Sequence, residues 1–315
     1  MKLLQVVERY IAFQQSLGVG FRSNAYVLRA FGRAVGVRVD IANVRAAQVD
    51  AFLAGTGPIT RTWHAKLSAL RTFYRYAVSR GYATTTPLPG VIPKLPPRFV
   101  PYIYSHEELR GLLHAADSYC DPRTCLEPMA IRTILLVLYG TGLRLSEALN
   151  LARADIDTDN AILTVRETKF YKTRLVPFCP KLGQALAQYV AQRSAGNSQL
   201  PLHLPFFTTR HGSKVLKDTL QGIFRRICTK AGIRRVDGAS YQPRLHDLRH
   251  TFAVHRLTTW YREGVDVQKL LPHLAVYLGH VSLASTQVYL SMTPELLQEA
   301  GTRFETYACG REHHD

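Results

Sequence analysis

The chain has 315 residues, and its 40 Lys and Arg against 23 Asp and Glu give a formal charge of +17. With 46% hydrophobic and 10% aromatic residues it has ample material for packed cores, which excludes wholesale disorder. At roughly 100–200 residues per domain the length suggests two domains.

Residues 1–95 carry 13 basic and 3 acidic side chains, a net of +10, and the remainder carries +7. A surplus of this size points to a polyanion, most simply nucleic acid, ahead of a role in solubility. Met1, Lys2, Leu3 and Leu4 begin like a signal peptide, but Glu8 and Arg9 interrupt any apolar region. The longest mostly apolar run, Ile134 to Leu143, is ten residues with two glycines, whereas a spanning helix needs about 20. The five cysteines (120, 125, 179, 228 and 309) are scattered and complete no zinc pattern. They read as reduced thiols of a soluble, cytoplasmic protein without a membrane partner.

In chain order, Leu3, Leu4, Val7, Tyr10, Ile11 and Leu17 recur at helical spacing. Segments 22–35 and 46–54 predict two more helices, and Trp63, Leu67, Leu70, Phe73, Tyr74 and Ala77 a fourth. That last helix carries Arg61, Lys66, Arg71, Arg75 and Arg80 on its remaining surface, a charge that favours contact with DNA or RNA over a generic helical bundle, although no base-reading signature is present. Six of the 16 prolines then fall between Pro87 and Pro101. Proline lacks a backbone donor and fixes φ, so this stretch reads as an extended linker. The expected organisation is a helical domain over 1–88, a linker over 89–101 and a second domain over 102–315.

The second domain reads as mainly α with a small β-hairpin or sheet, an α+β arrangement. Ser105 with Glu107 and Glu108 opens a helix through Leu113. An apolar helix over 126–140 follows and ends at Gly140, Thr141 and Gly142. Residues 161–165 read as a strand and 175–178 as its hairpin partner. Helices are expected near 181–193, 218–232, 246–262, 266–278 and 283–289, and 294–300 reads as a short amphipathic C-terminal helix.

Four local patterns here share one chemical theme. Arg144 leaves a glycine-bounded turn near a helix start, with Glu147 three residues on, and a guanidinium so placed can hold a phosphate with paired N–H donors. Lys169, Lys172 and Arg174 crowd the tip of the expected hairpin, as backbone contacts or a proton donor. His246 and Arg249, at i and i+3, share one side of a helix. His280 follows a helix-ending glycine, and Tyr289 lies near a helix end.

Any one of these is an ordinary surface or packing feature. Together they form a set suited to a phosphorane-like transition state: cations neutralise charge, one group protonates the leaving oxygen and a hydroxyl attacks. The sequence has no carboxylate cluster for paired magnesium ions and no phosphate-binding loop for ATP, so no metal or other cofactor is expected.

In order and in placement, Gly-Leu-Arg144-Leu-Ser-Glu147, the hairpin Lys169, His246-Asp-Leu-Arg249-His, Leu-Gly-His280 and Tyr289 resemble the tyrosine recombinase (phage integrase) family. The resemblance covers the second domain. The first is similar to that family's helical core-binding domain in position, size and charge.

It implies a site-specific DNA recombinase whose two domains close on duplex DNA, with a tetrameric synapse and accessory DNA-bending proteins as partners. Tyr289 would be the nucleophile that forms a 3′-phosphotyrosyl link. Arg144 and Arg249 would clamp the phosphate, His246 and His280 would add hydrogen bonds, and Lys169 would protonate the leaving 5′ oxygen. Glu147 would orient Arg144, and the protein would be nucleoid-associated. The C-terminal helix would dock on a neighbouring subunit, with a helix packed or frayed on its own chain as the equal alternative.

The hairpin departs from the family's usual Gly-Lys-Gly-x-Lys-x-Arg by lacking both glycines. Lys169 is taken over Lys172 by counting back from Arg174. A DNA-relaxing type IB topoisomerase, which uses the same residue set, and a non-catalytic DNA-binding regulator are the alternatives.

Overall fold

The computed structural model describes residues 1–55, 59–95, 99–166, 173–194, 201–239 and 241–291, with the single positions 298 and 301. The chain divides into two compact units, Met1–Phe99 and Val100–Asp315.

The first unit is helical: α1 (Leu3–Ser16), α2 (Arg22–Val35), α3 (Ala46–Ala54) and α4 (Arg61–Ser79). Each buries the stripe that its periodicity sets. Leu3, Val7, Tyr10 and Ile11 of α1 and Leu28 and Phe31 of α2 meet Trp63, Leu67, Leu70, Phe73 and Tyr74 of α4 in one apolar cluster. Thr60 caps α4 by accepting from the Thr62 N–H. Arg61, Arg71 and Arg75 lie on the exposed face that this burial leaves over. Lys66 does not: its ammonium donates to the Phe52 carbonyl at 2.8 Å and sits 4.6 Å from the Phe52 ring centre, tying α4 to α3.

The second unit opens with α5 (His106–Asp117), whose Ser105 and Glu108 form a reciprocal capping box. It continues through α6 (Pro128–Thr141) and the single-turn α7 (Leu145–Asn150) to β1 (Ile156–Asp157), β2 (Ile162–Val165) and β3 (Arg174–Pro177). These strands form an antiparallel sheet in the order β1-β2-β3, with Ile162 opposite Pro177 and Val165 opposite Arg174. The β2–β3 hairpin is the one expected from sequence; β1 was not expected, because its two residues are too few to show a period.

Then come α8 (Pro180–Ser194), α9 (Lys217–Lys230), α10 (Asp247–Arg262), α11 (Val267–Leu278) and α12 (Ala284–Gln287). The expected last helix over 283–289 is shorter: α12 ends at Gln287, and Tyr289 lies on a 3₁₀ turn, Val288–Ser291. The apolar α6, with Ile131, Ile134 and Leu138 fully or nearly fully buried, is a central element of the core and packs against α5, α8 and α10. Phe252, Leu257, Leu271, Leu274, Leu278 and Tyr289 form a smaller cluster under α11.

No helix is long and apolar enough to cross a membrane among the described residues. Cys120, Cys125, Cys179 and Cys228 are unpaired thiols.

Candidate active site

Gly142 ends α6 in the left-handed region, at φ +62°. A Cβ there would come within 2.7 Å of Phe252 and 2.8 Å of Leu278, so conformation and space both call for glycine. The sharp turn delivers Arg144 as the N-cap of α7, with its own N–H 3.0 Å from Glu147 Oε2 and its Nη1 2.7 Å from Oε1. Gly279 ends α11 in the same way, at φ +67°, and its neighbour His280 enters the site.

The last carbonyls of a helix lack intrahelical partners and carry the negative end of its dipole. At the end of α11 three successive carbonyls, the last that of the capping Gly279, each hold a different arginine. Tyr277 O accepts from Arg174 Nε at 3.0 Å, Leu278 O from Arg249 Nη2 at 2.7 Å, and Gly279 O from Arg144 Nη2 at 3.0 Å. Arg249 also donates from Nη1 to Gly142 O at 2.7 Å, so it bridges the ends of α6 and α11. Three guanidinium groups that would repel one another in the open are thereby anchored in one place.

Burial, with the neighbouring Arg144 charge next, pulls the Arg249 guanidinium down to about 10, which leaves it charged at neutral pH. Glu147 is the carboxylate among these cations. Burial raises its carboxyl, but hydrogen bonds from the Arg174 side chain and the Arg144 backbone, then the Arg174 charge and a hydrogen bond from the Arg144 side chain, outweigh this and hold it at about 2.

His246 caps α10, and its ring centre lies 4.9 Å from that of His250. Burial, then the charges of Arg249, Arg244 and Arg144, push His246 down to about 4. Burial and the charges of Arg249 and Arg144 do the same to His280, whose Nδ1 pairs with Thr286 Oγ1 at 2.8 Å. Both imidazoles are therefore neutral at neutral pH.

The Tyr289 ring lies 6.1 Å from His280 in a stacked arrangement and 5.5 Å from His250, with 2% of the residue exposed. Burial raises its phenol, against which the charge of Arg249 and a hydrogen bond from it act. Beside Arg144 and His246 opens a cleft of ≈ 630 Å³ whose walls include Lys217, Gln221, Arg225 and Arg244.

The structure thus brings Arg144, Glu147, His246, Arg249, His280 and Tyr289 into one cluster. Lys169, Lys172 and, apart from the single position 298, the expected C-terminal helix lie outside the described residues. Arg174, expected at the hairpin tip as a DNA contact, instead opens β3 and is 11% exposed, its guanidinium turned inward onto Glu147 and Tyr277 O. Sequence reasoning missed this inward role, the place of His250 beside Tyr289 and the support of His280 by Thr286. Gly279 offered a signal for the first, since a helix-ending glycine marks a close backbone approach. Among the described residues no group of three or more His, Cys, Asp or Glu could hold a metal ion.

Comparison with known proteins identifies the family and the fold. The model of the phage integrase family matches residues 103–295. A putative integrase/recombinase, y4rB, from Sinorhizobium fredii is 38% identical over 245 residues, covering 77% of this chain and 78% of that one. Tyrosine recombinase XerA from Thermococcus kodakarensis is 31% identical over 250 residues, covering 79% and 77%. Among solved structures, the Tn1549 transposon integrase in complex with a circular intermediate DNA aligns with a TM-score of 0.68 at 16% identity, over 96% of this chain and 99% of that one. A lambda integrase dimer bound to a COC′ core site aligns at 0.67, also 16% identical, over 93% and 97%. These two share the fold. The chain belongs to the phage integrase family, the tyrosine recombinases.

Proposed function

We propose that this site-specific DNA recombinase cuts and rejoins duplex DNA through a 3′-phosphotyrosyl intermediate on Tyr289, without metal or nucleotide. What carries this is the convergence of two arginines, two neutral histidines and a tyrosine on the adjoining ends of α6, α7, α10 and α11. Arg144 and Arg249 supply N–H donors and positive charge to the non-bridging oxygens, so the developing charge meets fixed, preorganised dipoles. The Tyr289 oxygen forms a bond to phosphorus as the bond from phosphorus to the 5′ oxygen breaks. The neutral imidazoles of His246 and His280 are the acceptors at hand for the phenol proton, and Lys169 gives a proton to the leaving oxygen. The phosphotyrosyl link conserves the phosphodiester bond energy, so attack by a 5′ hydroxyl of a partner strand reverses the step.

The first unit, with Arg61, Arg71 and Arg75 exposed on α4, serves as the core-binding domain and holds the DNA backbone. Lys217, Arg225 and Arg244 along the cleft do the same next to the scissile phosphate. Recombination joins two duplexes, so the working form is an oligomer on DNA, a tetramer at synapsis. Structural neighbours, a lambda integrase bound to a core site and a transposon integrase in complex with a circular intermediate DNA, favour a mobile element as the substrate.

The test is a nicked suicide substrate, incubated with EDTA throughout. The unaltered protein should form a covalent adduct, and Tyr289→Phe should bind the same DNA yet form none. An adduct that persists in Tyr289→Phe would falsify the assignment of the nucleophile, and loss of the wild-type adduct in EDTA would sink the metal-free reading.

A further inference from the structure

Glu147 creates a difficulty for the site. A buried carboxylate 2.7 Å from Arg144 competes with any phosphate for the same guanidinium. An arginine wholly engaged by a carboxylate has little left for an anion. Glu147, however, has a second partner that the reaction does not use. Arg174 reaches it with a forked pair of bonds, Nη1 to Oε1 at 3.2 Å and Nη2 to Oε2 at 2.8 Å. Planar, two-pronged pairing of this kind is the strongest that a carboxylate makes with a side chain.

Arg174 is also the better buried of the two arginines, 11% exposed against 33% for Arg144. Its third contact, to Tyr277 O, fixes it to the end of α11, one residue before the carbonyl that holds Arg249. Gly279 leaves the room it needs, because a Cβ there would lie 2.8 Å from Arg174 Nη1.

We infer that Arg174 is a positioning residue for Arg144: as the fixed counter-ion of Glu147, it leaves the more exposed Arg144 guanidinium free to be shared with the scissile phosphate. The inference rests on the recombinase reading above and concerns how its phosphate clamp is held. With Arg174 in place, Glu147 serves as a pivot that orients Arg144 through its backbone N–H and one Nη. Without it, a buried carboxylate left with Arg144 as its remaining cation would draw both prongs of that guanidinium inward, since removing one partner of a buried pair leaves the other charge seeking a replacement.

Two measurements test this on the 315-residue chain. The first is the single-turnover rate of adduct formation on the suicide substrate, read beside DNA affinity. Arg174→Gln should slow cleavage by about 100-fold, the scale of a misplaced catalytic group. Affinity should stay within about threefold, because one contact among many phosphate contacts is a small part of binding. The double variant Arg174→Gln with Glu147→Gln should recover at least about tenfold of the lost rate, since a neutral amide at that position has no charge with which to capture Arg144. A rescue of this kind is not expected if Arg174 only props up the fold. An Arg174→Gln rate near wild type, a double variant no faster than the single one, or a loss explained wholly by weaker binding would each overturn the inference.

The second measurement needs no activity. Glu147 is held well below its ordinary value, so its stabilising contribution is full above pH 4.5 and is lost as pH falls toward about 2. The stability gap between wild type and Arg174→Gln should therefore be wide above pH 4.5 and narrow toward pH 2, and it should be flat with pH when both proteins carry Glu147→Gln. A gap independent of pH in both backgrounds would overturn the inference even if wild type forms no adduct, a result that would itself count against the recombinase mechanism alone. If Arg174→Gln does not fold, Arg174→Lys carries the same tests, with an intermediate rate expected because the charge remains and the fork is lost.

Discussion

Arg144, Arg249 and Arg174 owe their places to backbone as much as to side chains. Three consecutive carbonyls at the end of α11 take one arginine each, and the last of them belongs to the left-handed Gly279 that turns the chain. The histidines around them are held neutral for the opposite reason: they are buried, and nearby cations oppose a further charge.

Burial is the first cause at His246, His250, His255 and His280, and it pushes them to about 4, 3, 4 and 4. Unfolded histidine takes up its proton near pH 6.5, so between 6.5 and about 4 the unfolded chain binds more protons than the folded one. The stability of the DNA-free protein should therefore be full above pH 6.5 and fall steadily below it, as denaturant unfolding at pH 7.5, 6.5 and 5.5 would read. Equal stability at the three values would count against these buried, neutral histidines. A phosphate in the site offsets the arginine charges and raises His246 and His280, so bound DNA should soften the decline.

At the scale of elements, the site stands where helices end. α6 and α11 stop at glycines, α7 and α10 begin at Arg144 and His246, and the arginines and histidines of the site gather at these junctions, with Tyr289 on the 3₁₀ turn that follows α12. That arrangement was legible in the sequence, because apolar periodicity located the helices and Gly142 and Gly279 marked their ends. The hairpin was legible too, from two short apolar runs around a basic loop.

Other features were not legible. β1 is two residues long, and the 3₁₀ turn bearing Tyr289 differs from an α-helical end by a local tightening that no periodicity records. The inward fold of Arg174 and the docking of Lys66 on Phe52 depend on partners 27 and 14 residues away, so a tally of basic residues assigned both to DNA.

Gly142→Ala tests the junction between α6 and α7. The left-handed conformation costs roughly 1–2 kcal/mol for a residue with a Cβ. Overpacking against Phe252 and Leu278 adds about 1–3 kcal/mol. A Tm lowered by roughly 5–15 °C is expected for a unit of this size, by differential scanning calorimetry. An unchanged Tm would mean that the junction is looser than its contacts indicate.

Over the whole molecule, the +17 charge divides into two kinds of work. A handful of cations gather at one site, where the proposed mechanism has them act on a single phosphate. The surplus of the first 95 residues sits in a unit whose apolar stripes are buried and whose α4 arginines 71 and 75 face outward. If those two contact the DNA backbone, replacing either with alanine should reduce the slope of log affinity against log salt by about 1, with little change in preference between sequences. An unaltered slope would move the DNA to another face of that unit.

The central claim is that Tyr289 carries the DNA between cleavage and rejoining. Its most direct measurement is mass spectrometry of the trapped covalent complex after protease and nuclease digestion. The expected product is a nucleotide joined through its 3′ phosphate to the peptide that contains Tyr289. Attachment to any other residue, or linkage through a 5′ phosphate, would contradict the claim.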